Sequence, residues 1–404
     1  MCKEVKKTIK TENFSNETTL ISEFNSNLKI KLYSKPINKS FINNFDNNNG
    51  RINFNGNLKN LSKYKFSKIK NFHQYDTKIS LYNDDIIFFD NKGSILRFDK
   101  DSDLVWKKNN YTKSEKKQNP ILFFENNKKT IIIADNISKY YALDINTGEL
   151  LWSKNNTAPF NSQLKIYKDK FFLIDYNNTL RAYNIKDGNE IWKIKTENSL
   201  IRSQKKLSMV IIENKIYFNN YLGDISAVDI ESGQLLWQTP TQTSLIDGEN
   251  FFLKISDIIG DKYTLYFSNN KNQFFALDIK TGFVNWKQKI NSNLRPTLID
   301  NYIFTVSLSG YLVVIDKNSG KIIRITDAFK TLKNRKKNRI LPTGFIVGNN
   351  NIYISTSHGR LLVLDIETGM VIDTIKIDNN KIARPLILNQ KMFITTDSSI
   401  IKLN

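Results

Sequence analysis

The chain has 404 residues, 40% of them hydrophobic and 12% aromatic, which is enough for a sizeable core and too apolar for a disordered tail. One Cys and two His exclude a disulfide framework and a structural zinc cluster of four Cys or of paired Cys and His, and no apolar run approaches the ~18 residues of a membrane-spanning helix. The formal net charge of +21 points to nucleic acid or another polyanion as one class of partner. Because Lys, Asn and Ile are abundant together and the cations are spread along the chain, a solvated basic surface is the simpler reading.

Residues 1–35 are polar and charged without a core pattern, so they read as a flexible tether ahead of a folded domain over 36–404. Cys2 directly follows Met1 with no apolar stretch before it. Two readings stand: a lipoprotein acylated on Cys2 whose signal is missing from the sequence, or a cytosolic chain with an incidental thiol. From residue 95 onward the chain repeats itself. ILRFDKDSDLVW ends at Trp106, YALDINTGELLW at Trp152, RAYNIKDGNEIW at Trp192, SAVDIESGQLLW at Trp237 and FALDIKTGFVNW at Trp286. VVIDKNSGKIIR, ending at Arg324, and LVLDIETGMVID, ending at Asp373, are degenerate copies. The period of about 45 residues decides the fold, and all 5 Trp fall at one place in it.

Each unit reads as β structure. A β-branched and aromatic run such as KTIIIA or NYIFTV precedes a turn and then a stretch of period two. Gly93, Gly223, Gly310 and Gly359 mark the first turn, with Asn at the equivalent place in other copies, and Gly148, Gly188, Gly233, Gly282, Gly320 and Gly369 mark the second. An Asp or Asn four residues earlier, such as Asp144 or Asn184, can accept from turn N–H groups. No segment of ten or more residues keeps a helical period, so the repeated unit must bury its faces against copies of itself. That predicts an all-β chain, a β-propeller of four-stranded antiparallel blades. Ala142, Ala182, Ala227 and Ala276 sit where strands lie closest, and the Trp of each unit plugs the neighbouring blade.

KMFITTDSSIIKLN, at the C-terminus, matches only the first strands of a unit. An open edge is an aggregation hazard, and the stretch 61–70, LSKYKFSKIK, can close it by supplying the outer strand, with Phe66 or Tyr64 in the place of Trp. Eight blades result, one of them shared between the N- and C-terminal strands.

The units resemble the A-x-D-x-x-T-G-x-x-x-W repeat of quinoprotein dehydrogenases and of the BamB lipoproteins of the outer-membrane barrel assembly machinery, over about residues 40–404. The length, the degenerate eight units, the N-terminal Cys and the segment SLIRSQKKLSMV make the likeness to BamB the closer one. That resemblance implies a non-enzymatic scaffold without a cofactor, anchored at the periplasmic face of the outer membrane through Cys2. It would dock to periplasmic domains of the BamA-type barrel-forming subunit. The family's L-x-L-R-G-like loop falls on Ser199, Leu200, Ile201 and Arg202, where Arg202 matches, Ile201 matches conservatively, and Ser199 and Ser203 depart from Leu and Gly. A pyrroloquinoline-quinone-dependent dehydrogenase, the alternative implied by the same repeat, needs an adjacent Cys pair that one Cys cannot make.

Other chemistry is sparse. His73, in a polar linker, and His358, in a Ser-His-Gly turn, read as surface residues rather than bases. No phosphate-binding Gly loop or nucleophile elbow occurs. The run KTLKNRKKNR at 330–339 holds six cations and no acid; it reads as a solvated inter-blade insertion, with an anionic headgroup contact as the sharper reading.

Overall fold

In the computed structural model, which describes residues 22–38, 50–70, 72–74, 78–197, 205–242, 253–332, 337 and 339–404, each repeat forms a four-stranded antiparallel sheet, and eight such sheets are present. Blade 2 shows the logic. Its middle strands, Thr130–Asp135 and Lys139–Asp144, are buried along their length because neighbouring blades cover both faces. Its last strand, Leu150–Asn155, alternates between exposed and half-buried residues, as an outer edge does. The first strands, among them Ser80–Tyr82, Leu122–Asn126, Lys165–Tyr167, Met209–Ile212 and Ile259–Gly260, meet in succession around a central axis. The fold is therefore the predicted eight-bladed propeller.

The second turn of each unit is built by its Asx residue. Asp144 Oδ1 accepts from the N–H groups of Thr147 (2.8 Å) and Asn146 (2.9 Å) and from the Thr147 hydroxyl (3.2 Å). These bonds, the Thr147 N–H foremost, hold its carboxyl below the usual range. Asp229 and Asp278 repeat the arrangement. Gly148 closes the turn at φ +69°, in the left-handed region. In the shorter turn of blade 1, Ser102 adopts φ +73° instead.

A bulge precedes each Trp. Ala142 opposes Trp152 while Leu143 opposes Leu150, so Leu151 has no partner and both leucines face outward, 48% and 52% exposed. The small Ala leaves room for the indole, which leans onto the following blade. There Trp152 stacks with Phe171 (6.0 Å) and donates from Nε1 to the Ile185 carbonyl (2.9 Å). A Cβ on Gly188 would come within 2.6 Å of the Trp152 ring, so Gly is required there for space as well as for its φ. Trp106, Trp192, Trp237 and Trp286 make the same bond to Ile145, Ile230, Ile279 and Lys317 at 3.1–3.3 Å. Each Trp thus seals one blade to the next.

In two of the three blades without Trp, another side chain takes its bond. Asn60–Lys65 pairs antiparallel with Ser399–Leu403 to complete blade 8, as the open C-terminal edge requires. Neither aromatic candidate stands at the Trp register, where Ser62 opposes Lys402. Tyr64, two residues on and opposite Ile400, takes the bond instead: it is fully buried and its hydroxyl donates to the Lys100 carbonyl of blade 1 (3.4 Å). Phe66 packs beside it on Phe88 (4.9 Å). In blade 6, fully buried Arg324 donates to the carbonyls of Ile366 (3.3 Å) and Glu367 in blade 7. Burial lowers this guanidinium to a pKa of about 10, with Asp365 opposing, so it stays charged at neutral pH. Between blades 7 and 8 Asp373 holds the position, and the seam is carried by Ile346, Leu361, Met392 and Ile394.

Part of the segment expected as a tether is structured. Phe24 bridges Ile325 on the outer strand of blade 6, with backbone bonds in both directions (3.1 and 2.8 Å). The Leu28 carbonyl accepts from Arg324 (2.9 Å), and buried Ile30 donates to Glu367 O (2.9 Å). The Asp300 carboxylate then caps the N–H groups of Tyr33 (2.7 Å) and Ser34 (3.1 Å). The packed chain therefore starts upstream of residue 36, because polar side chains do not prevent backbone groups from pairing with an open strand edge.

Candidate docking surface and channel mouth

Two of the sequence-predicted sites, Cys2 and the loop residues Ser199, Leu200, Ile201 and Arg202, lie outside the described residues. Their flanks are placed. The chain leaves blade 3 at Thr196, whose N–H and hydroxyl donate to the Asn178 carbonyl (3.0 and 3.1 Å). It re-enters blade 4 through Lys205, whose ammonium donates to the Asn293 carbonyl, and then Leu207, bridged to Ser162. The five blade tryptophans each donate to a backbone carbonyl of the following blade.

Lys205 and Lys206 open onto a cavity of about 870 Å³ at one end of the channel, lined by loops from every blade. Three lysines, Lys68, Lys70 and Lys381, enter from the connections flanking blade 8; Lys205, Lys206 and Lys254 enter from blades 4 and 5. Asp397 is the one carboxylate among the described lining residues, and it pairs with Lys68 (3.1 Å). Apolar groups line the blades between these two cationic arms, including Ile121 and Phe123 on one side and Leu294, Leu308 and Leu341 on the other. Both histidines of the protein line this mouth. They are exposed, as expected, and the His358 ring bonds Ser357 (2.9 Å). Sequence reasoning missed the mouth because its lysines come from segments that no spacing rule connects.

Below the mouth, charged side chains converge on the axis. Lys78 pairs with buried Glu125, and Arg295 approaches Asp257 (3.8 Å). Lys165 is buried among them; burial, with Lys78 adding to it and Glu125 opposing, pushes its ammonium down to about 7. The basic run at 330–339 lies apart from this site. Lys330 reaches Glu23 (3.3 Å) and Lys337 reaches Asp327 (2.9 Å), while Lys333, Arg335 and Lys336 lie outside the described residues.

An eight-bladed propeller with strand-exchange closure and aromatic seams defines the quinoprotein-type repeat class. The chain belongs to the family of the outer membrane protein assembly factor BamB, whose model matches residues 91–326. Among solved structures it is similar to BamB from Moraxella catarrhalis, at 16% identity and TM-score 0.69, over 86% of this chain and 99% of that one. It is also similar to a europium-containing methanol dehydrogenase (12% identity, TM-score 0.65, 85% and 86% covered). A quinohemoprotein alcohol dehydrogenase from Comamonas testosteroni follows (10%, 0.63, 87% and 78%). At these identities the likeness shows the fold alone. No curated protein matches the sequence. The single Cys cannot supply the adjacent Cys pair that the quinone-dependent alternative implies, and among the described residues no three His, Cys, Asp or Glu side chains are grouped to hold a metal ion.

Proposed function

We propose that this protein is a non-enzymatic scaffold subunit of an outer-membrane β-barrel assembly complex, docking to periplasmic domains of the barrel-forming subunit. The observation that carries the reading is the family match across residues 91–326, more than half the chain, on a propeller closed into eight blades. A ring sealed blade to blade is stiff, and a stiff ring can hold loops in fixed relation for a partner to read. In this reading Arg202 forms a bidentate pair with a partner carboxylate and Ile201 adds an apolar contact, as hot spots commonly combine. Arg202→Glu should abolish co-purification with the barrel-forming subunit while the isolated propeller keeps its melting temperature. Retained co-purification would reject this loop, and a large fall in melting temperature would assign Arg202 to the fold.

Membrane attachment is the second part of the proposal. Acylation of Cys2 would supply lasting anchorage, because each buried methylene adds ~0.8 kcal/mol and two or more chains suffice where one does not. Cys2→Ser, expressed in cells, should move the protein from the membrane fraction to the soluble one. Unchanged fractionation counts against the anchor without touching the docking reading.

A further inference from the structure

We infer that the channel mouth docks an extended acidic polypeptide segment of a partner, lying across the opening with carboxylates at both ends and apolar side chains between. In a ring of eight blades, blade 8 stands opposite blade 4. The two cationic arms therefore face each other across the mouth: Lys68, Lys70 and Lys381 on one side, Lys205, Lys206 and Lys254 on the other. One carboxylate, Asp397, is set against these six ammonium groups among the described lining residues. A concave site lined by one sign of charge focuses its field and attracts the opposite sign.

The walls between the arms decide the class of ligand. Leu341 is 51% exposed at the lip, and Leu308 is half-buried beside it. A compact polyanion would leave these apolar groups unused, whereas the middle of a peptide covers them. A nucleic acid would instead call for exposed aromatic faces on which bases stack. The phenylalanine rings that reach this cavity, Phe72, Phe89 and Phe123, are only 4%, 1% and 9% exposed, which leaves the small imidazoles of His73 and His358 as its exposed rings among the described residues. The inference uses a surface separate from Arg202 and does not depend on the docking of that loop.

The test is fluorescence anisotropy of the full chain with a fluorescein-labelled nine-residue peptide: three aspartates, three leucines, three aspartates. Binding should weaken about tenfold or more as sodium chloride rises from about 50 to about 500 mM, since the Debye length shrinks below the spacing of the charges. The double variant Lys70→Glu, Lys254→Glu, one exposed residue from each arm, should bind about tenfold or more weakly at the same melting temperature. An isomeric peptide with all six aspartates at one end should bind more weakly than the parent. Equal binding by the double variant or by the isomeric peptide overturns the inference. So does readier displacement of the peptide by inorganic tripolyphosphate or by oligothymidylate than by unlabelled peptide, which would assign the mouth to small anions or to nucleic acid.

Discussion

Deleting residues 1–65 should destroy the cooperative melting of the propeller and drive it to aggregate, whereas deleting residues 1–21 should leave the melting temperature nearly unchanged. The longer deletion removes Asn60–Lys65, the outer strand of blade 8, and lays bare the Ser399–Leu403 edge with buried Ile400, Ile401 and Leu403 behind it. It also removes Tyr64, whose ring packs on Phe98 (5.7 Å) and Phe393 (6.2 Å). Loss of such an aromatic alone costs about 3–5 kcal/mol, a large part of the ~5–15 kcal/mol that holds a domain folded. Deletion of residues 1–35 should fall between the two, because it removes buried Ile30 and uncovers the edge of blade 6. Equal melting temperatures for the 1–21 and 1–65 deletions, read by calorimetry with light scattering, would falsify closure by strand exchange.

Arg324→Ala should destabilise the protein by about 3 kcal/mol or more in urea denaturation, a loss on the scale of a Trp deleted from another seam. The guanidinium is fully buried and donates to three carbonyls, of Leu28, Ile366 and Glu367. Removing it leaves those acceptors short of a donor and a cavity under the N-terminal segment. Because the Leu28 carbonyl belongs to that segment, Arg324→Ala and the 1–35 deletion share an interaction, and their effects should sum to less than the two measured separately. A loss under about 1 kcal/mol, or strict additivity, contradicts the seam assigned to Arg324.

The repeat made most of the fold legible. A Trp at a fixed place beyond an Asp–Gly turn, with a small Ala in the preceding strand, is a local pattern, and its geometry repeats wherever the pattern does. The half-unit at the C-terminus gave the blade count, because an unpaired edge demands a partner strand. The substitutes were less legible. Arg324 sits at the Trp position in sequence, yet nothing local says that a charged group can be buried there; its carbonyl partners come from blade 7 and from residue 28. The packing of the N-terminal segment is illegible in sequence for the same reason, since residues 24–34 are held largely through backbone groups and by Asp300, distant in sequence.

The functional surface divides in the same way. Sequence by itself determined the all-β repeat, the eight blades and the closing strand, because each follows from residue periodicity, turn chemistry or an unpaired edge within a single unit. By resemblance to a family loop it also nominates Arg202, which lies outside the described residues. Only the tertiary structure decided that Tyr64 rather than Phe66 takes the missing Trp's bond in blade 8 and that Arg324 seals blade 6. Only it showed that six lysines from residues 68 to 381 face one another across one mouth. Closing the ring carries residues hundreds of positions apart to a common axis, and the field they make there depends on their distances in space.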